Sequence, residues 1–582
     1  MAATTTFATQ PPMTYGENGH IELAWSTQMH EKIVQFQFQL TRMDETRLKK
    51  MEHLLKDMLS DIQHMLRDTL KTFEEKKMAK EYLCMLYKMI GYTRDIVNGK
   101  GEYELSYMMI YCWSHYFPEL ACFALKCLVT LDDEHPYGSW KDIKLLCNYC
   151  MKRDNHTDSP LIAYAIKLFN QTLATDYANS ISNCDDTISL AAKWVPREKS
   201  KYGWLFEMLA KDYFRYILDT ANTEESYKRA VLKCKTDYRK LISGLNKKLD
   251  TLQIKQCNGE WSAIDFDKVT SISMTKQRKA FLNIKKDGQT RYSDNKDRMD
   301  CANNFCHYID ETDTVKGKRV SMVDFTKQAI DILKRKKTSN AKLDCEYKML
   351  NMQWTNNAGK TGKLGKMIAM VDVSGSMSGN PMHAAIALGI RIAEKSMMGN
   401  RVMTFSMKPS WIPLGEEPDF ISKVDAIMTN SQQGLNTNLY AALDLVLNAI
   451  VESKLDAVDV EDMVLVILSD MQIDQCDNCN KMTLYDTMRA KYADTGIQLY
   501  GTPFKPPHIL FWNLRNTDGF PCSSTQPNVT MMSGFSPMVL DLFFEGGVTS
   551  LQSCTPLATF QKSLENKRYE ILGQMLTDTI TF

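Results

Sequence analysis

The sequence predicts a multidomain α plus α/β protein: an N-terminal α-helical, HEAT- or solenoid-like domain, then a C-terminal doubly wound domain on a mostly parallel sheet. Three observations predict it. Apolar residues step by three and four from about residue 21 to 250, the composition turns polar and lysine-rich over 251–345, and from about 346 strand, loop and helix patterns alternate. The expected divisions are a disordered tail over 1–20, a helical repeat-like domain over 21–250, a basic extension with a linker helix over 251–345, and the α/β domain over 346–582.

Residues 1–20 are rich in Thr, Pro and Gly, which suits a disordered tail. Helical spacing follows in "IVQFQFQLTRMDETRLKKMEHLLKDMLSDI" and "SYMMIYCWSHYFPELACFALKCLVTL", then in "SWKDIKLLCNYCMKR", "SPLIAYAIKLFNQTLATDYANS" and "KYGWLFEMLAKDYFRYILDT". Paired helices of this kind stack as solenoids, although no strict sequence period is visible. The next segment closes with the helix "SMVDFTKQAIDILKRKK". Beyond it, "KMIAMVDV", "RVMTFSM", "DMVLVILSD", "HILFWNLR" and "VTMMSGF" read as strands. Between them "HAAIALGIRIAEKSM", "FISKVDAIMTN", "NLYAALDLVLNAIVESK" and "TLYDTMRAKYADTG" read as helices. Near-continuous apolar strands suit a parallel sheet covered on both faces.

Hydrophobic content of 44% with 24% charged residues is enough for most of the chain to fold, and a net charge of +1 argues against wholesale polyanion binding. The balance hides a basic region, since residues 228–340 hold 26 Lys/Arg against 14 Asp/Glu. No stretch reaches the ~18 apolar residues a membrane span needs, and the N-terminus lacks a basic start with an apolar core. The sixteen cysteines stand mostly in apolar contexts, as buried thiols of a reducing compartment do. The expected location is therefore intracellular, in the cytoplasm, and virus-associated if the source is viral. Two CxxC pairs, Cys147/Cys150 and Cys476/Cys479, lack the second pair or His that a structural zinc site requires; a buried helix face explains the first.

The motif that carries chemistry is "GKMIAMVDVSGSMSGNP", residues 365–381. An apolar strand ends there in Asp372, followed by Ser374 and Ser376 in a turn. In a doubly wound fold, ligands gather at the carboxyl ends of strands. Thr437 in "GLNTN" and Asp470 at the end of "LVILSD" reach the same edge. Two carboxylates and three hydroxyls form an oxygen-only donor set of the kind that Mg²⁺ prefers, with Mn²⁺ or Ca²⁺ as alternatives. An ion held largely by hydroxyls keeps much of its charge and can accept an outside carboxylate or phosphate.

Asp372-x-Ser374-x-Ser376 with Thr437 and Asp470 resembles the metal-ion-dependent adhesion site of von Willebrand factor A domains. The resemblance implies an A-like fold for 346–582, a divalent cation, and an acidic protein ligand. One departure is "SDM" at 469–471, where many members have Asp-Gly, which should alter the local turn but not the carboxylate. The layout of helices followed by an A domain is similar to that of the Ro (TROVE-domain) RNA-binding proteins, and "RDIVNGKGEYELSY", 94–107, looks like their "RD…GKG" segment. Closer still, "SLAAKWVPREKSKYGWLFEMLAKDYFRYI", 189–217, resembles an uncharacterised family of plants and large viruses.

The Ro-like layout makes Arg94, Lys100, Lys193, Arg197 and Lys199, beside Trp194 and Trp204, candidates for gripping RNA phosphates. The two tryptophans read better as core residues. The cluster Lys334, Arg335, Lys336 and Lys337 reads as a solvated linker, a polyanion contact or a nuclear address. Catalysis is not expected. The phosphate-loop-like "NAGKTGK" has Trp354 in place of its first glycine, "GSMSG" has Met377 where a nucleophile elbow needs Ser, and no His stands as an evident base. Gly389 reads as a close-packing position on the sheet. Two binding functions remain: cation-dependent capture of an acidic protein, with the helices as a second docking surface, or retention of structured RNA on the basic helical half. No membrane contact is expected.

Overall fold

The computed structural model describes residues 12–132, 134–182, 187–335, 341–359, 362–405, 408–431, 438–473, 483–538, 540 and 554–581. Helices fill the front half, and the long apolar runs divide where the backbone dictates. The first breaks into Met29–Gln39 and Glu45–Arg67, with the Asp44 side chain accepting from the Arg47 amide at 2.9 Å as an N-cap. The second breaks into Tyr103–Tyr116 and Pro118–Cys127, because Pro118 has no amide to continue a helix and is suited to the first turn of the next.

Residues 13–20 correct the expectation of a tail. Strand β1 (Met13–Tyr15) pairs antiparallel with β2 (Ile21–Leu23), and Leu23 exchanges both backbone hydrogen bonds with Phe520.

The back half carries one mixed sheet of β3 (Lys366–Asp372), β4 (Arg401–Phe405), β5 (Ser410–Pro413), β6 (Met463–Ser469), β7 (His508–Asn513) and β8 (Val529–Ser533). Its order is β5-β4-β3-β6-β7-β8, parallel throughout except for the antiparallel edge strand β5, a short "SWIP" segment with too little apolar pattern to read from sequence. Successive residues alternate between two cores. Ile368, Met370, Leu465 and Ile467 enter one, while Met367, Ala369, Val371, Val464, Val466 and Leu468 enter the other. Leu439–Glu452, Leu484–Tyr500 and Pro556–Leu564 cover the first face; Asn380–Lys395 and Phe420–Asn430 cover the second. A doubly wound sheet explains why its strands read as unbroken apolar runs.

The helices Met322–Arg335 and Ala341–Ala358 also join the second core, so the chain enters the α/β half before residue 346. The remaining 251–345 segment is more than a polar extension. Phe266, Phe281 and Phe305 form a small core of their own, with ring centroids 4.9–5.5 Å apart.

Candidate cation site at the carboxyl edge of the sheet

The chain runs outward from β3 to β4 and β5 on one side, then returns to β6 and runs outward on the other. The reversal leaves a crevice at the carboxyl ends of β3 and β6, where open α/β sheets bind ligands. Val371 pairs with Leu468, so the two strands end level, releasing Asp372 from one and Asp470 from the other at the same edge. Gly389 holds that edge in place: a Cβ on it would lie 2.5 Å from Val371 Cγ2, so the Asn380–Lys395 helix rests directly on β3.

Asp372 and Asp470 are both 0% exposed. Asp372 Oδ1 accepts from the Ser374 amide at 2.9 Å and Oδ2 from Ser469 Oγ at 2.6 Å. Burial, and then the neighbouring charge of Asp470, push the Asp372 carboxyl up to about 7. Asp470 accepts from the Gln472 amide and from Arg515 Nη1, each at 3.2 Å. The Ser374 and Ser376 hydroxyls lie 3.1 Å apart, with Ser374 buried and Ser376 open to solvent. Thr437 lies outside the described residues, as do Cys476 and Cys479.

Two groups escaped the sequence reading. Ser469 links the strand ends, donating to Asp372 and accepting from the Met471 amide at 3.1 Å; its signal was its place beside Asp470 at a strand end. Arg515 follows β7 by two residues, and the common edge of three parallel strands was the signal that could have found it. Met471 takes φ 62°, the left-handed conformation that glycine adopts freely. That costs about 1–2 kcal/mol, which burial of the Met471 side chain offsets, since a buried methionine contributes roughly 1.5–3 kcal/mol.

The donor chemistry fits a hard divalent ion. Two buried carboxylates face a single bonded guanidinium, and the nearby polar groups are hydroxyl oxygens. Among the described residues no three His, Cys, Asp or Glu side chains gather into a cage, so hydroxyls and water would complete the coordination of an ion here.

The basic candidates divide. Arg94, 8% exposed, forms a bidentate pair with Asp142 at 2.8 and 2.9 Å. Lys100, 3% exposed, donates to the Gln37 and Leu40 carbonyls and to Ser533 Oγ, fastening the end of the first helix to β8. Arg335 pairs with Asp331 at 2.9 Å and with the buried Glu346. These three are corrected from phosphate grips to internal ties, because protein oxygens already occupy their donors. Arg197, Lys199 and Lys334 are exposed, Lys193 is half-buried, and Lys336 and Lys337 lie outside the described residues. Trp194 and Trp204 are partly buried against the helical core. Cys147 and Cys150 are buried, and burial pushes the Cys147 thiol up to about 12, so the pair sits on a core-facing helix surface as inert thiols.

Among the described residues no helix is long and apolar enough to cross a membrane. Residues 366–573 match a domain of unknown function, DUF7788, and residues 150–356 match another, DUF2828. The border between the two matches falls at the connection from the Ala341–Ala358 helix to β3. The chain is also similar to an uncharacterized protein of Acanthamoeba polyphaga mimivirus. The two are 28% identical over 490 residues, covering 82% of this chain and 78% of the viral one. That similarity fits the expected kinship with a family that includes large viruses.

Proposed function

We propose that the chain is a non-enzymatic binding protein whose α/β half, similar to a von Willebrand factor A domain, captures an acidic group of a partner protein through a divalent cation. Asp372, Ser374, Ser376 and Asp470 would hold the ion, joined by Thr437. The ion supplies an electrophilic position for an outside carboxylate. The observation that carries the reading is the convergence of Asp372 and Asp470, fully buried, from two strands almost a hundred residues apart, beside an exposed Ser376. Mg²⁺ is the preferred ion, with Mn²⁺ or Ca²⁺ as alternatives.

The test is Mn²⁺ titration of the chelator-treated chain, with free Mn²⁺ followed by electron paramagnetic resonance. One saturable site, lost in a folded Asp372→Ala variant, is expected; the absence of saturable binding overturns the proposal. A second reading, structured RNA held on the helical half, rests on Arg197 and Lys199, which are exposed.

A further inference from the structure

Between the helical front and the α/β half lies an open cavity of about 580 Å³, within the size range of small-molecule sites. Its lining comes from stretches far apart in the chain, from the Gly99–Gly101 loop to Phe535.

One part of the lining is basic. Lys141, Lys193, Lys276 and Lys318 border the cavity, and none of the four has an ion-paired carboxylate among the described residues. The only carboxylate among the described lining residues, Glu102, is already held by Arg42 Nε at 3.0 Å to both oxygens. Burial, and then the nearby Lys276, pull the Lys141 ammonium below its ordinary value, and burial does the same to Lys193. The nearest opposite charge to Lys141, Asp142, is already paired with Arg94, so the gathered like charges raise the free energy of the empty state, and a bound anion relieves it.

Another part is apolar. Tyr103, Leu190 and Ile272 line the same cavity while 47%, 50% and 46% exposed. Trp194, with the Lys144 ammonium 5.3 Å and the Lys193 ammonium 5.9 Å from its ring centroid, adds a second aromatic surface. Single exposed apolar residues need no explanation, but several in one recess beside unpaired lysines fit a ligand that is itself flat and apolar at one end and anionic at the other.

We propose that this cavity binds a nucleoside polyphosphate, with the phosphates on the lysines and the base against the Tyr103 and Trp194 surface. The site is separate from the cation site at Asp372, so the two proposals fail independently.

The experiment is isothermal titration of the full chain in EDTA, which removes any contribution from a cation at Asp372. The probes are ATP, GTP, inorganic triphosphate and a single-stranded RNA oligonucleotide. Stoichiometric binding of ATP or GTP is expected, unchanged in Asp372→Ala and clearly tighter than binding of inorganic triphosphate. In Lys141→Glu or Lys276→Glu it should weaken about tenfold, the worth of one charge-assisted hydrogen bond. If either variant fails to fold by circular dichroism, Lys318→Ala, an exposed position, replaces it. No saturable heat with either nucleotide overturns the proposal, as does unchanged affinity in the folded lysine variants. Inorganic triphosphate binding as tightly as ATP also overturns it by removing the role of the base. An oligonucleotide that binds more tightly than either nucleotide reassigns the cavity to RNA.

Discussion

Arg568 forms a buried bidentate pair with Asp95, its Nε and Nη2 donating at 2.7 and 2.9 Å across 473 residues of sequence. It ties the last segment of the chain to the end of the Phe73–Arg94 helix, and Tyr569 adds a hydroxyl to the same carboxylate at 3.3 Å. Adjacent Arg94 pairs with Asp142 instead, so the "RD" dipeptide makes two buried ion pairs with different partners.

Arg568→Ala leaves the Asp95 carboxylate buried without its guanidinium, which costs about 3–5 kcal/mol. In Asp95→Asn the guanidinium keeps Glu134 at 2.8 Å and the His135 carbonyl, so that variant should lose less. Both variants should lower the urea midpoint, Arg568→Ala by more. The double variant should lose less than the sum, because both changes remove one interaction. A loss below about 1 kcal/mol in both single variants, the level of an exposed pair, would show that the contact contributes little.

Glu22 provides a pH-dependent contribution. Burial first, then the charges of Asp518 and Glu17, push its carboxyl from 4.5 up to about 7, while burial holds the neighbouring His20 imidazole down at about 4. The 3.4 Å contact between them is therefore not an ion pair in that window. Lys50 and Arg47 face Asp518 and Glu17 from the Glu45–Arg67 helix. Between 4.5 and about 7 the folded state binds more protons at Glu22 than the unfolded chain, so stability falls as pH rises across that interval. Glu22→Gln should flatten that part of the curve of thermal midpoint against pH; an unchanged slope would refute the assignment.

Gly389→Ala would place a methyl 2.5 Å from Val371 Cγ2. Overpacking of this kind costs about 1–3 kcal/mol, and the unfolding free energy from denaturant titration should drop by that amount. Adding Val371→Ala should recover part of the loss if contact with β3 is the cause. Since Val371 precedes Asp372, the single variant should also weaken Mn²⁺ binding.

Arg515 competes with any cation for Asp470, whose Oδ2 it holds at 3.2 Å. Arg515→Ala should therefore tighten Mn²⁺ binding, by about tenfold if one charge-assisted bond is released. Weaker binding in this variant would mean that the guanidinium organises the site and does not oppose the ion.

The α/β half was largely legible because its signal is local. The runs "KMIAMVDV" and "DMVLVILSD" are apolar without a break from Met367 to Val371 and from Met463 to Leu468, so they could be assigned as strands without knowing their neighbours, and β3 and β6 occupy them. Asp372 and Asp470 were legible for the same reason, as acids that end such runs. Ser469 and Arg515 were not, because one shares a strand end with Asp470 and the other enters only through the order of strands.

The sequence by itself determined where the five parallel strands and most of the helices lie, that the sheet is covered on both faces, and which acids stand at its carboxyl edge, but it missed β1, β2 and the edge strand β5. Hydrophobic periodicity carries that information within a few residues. Only the tertiary structure decided the fate of the basic residues. Arg94, Lys100 and Lys141 look alike in sequence, yet the first meets Asp142, the second meets two carbonyls and Ser533, and the third borders a cavity beside Lys276. A charge becomes a tie or a ligand site according to the oxygens that packing brings to it, and those oxygens come from segments up to 433 residues away.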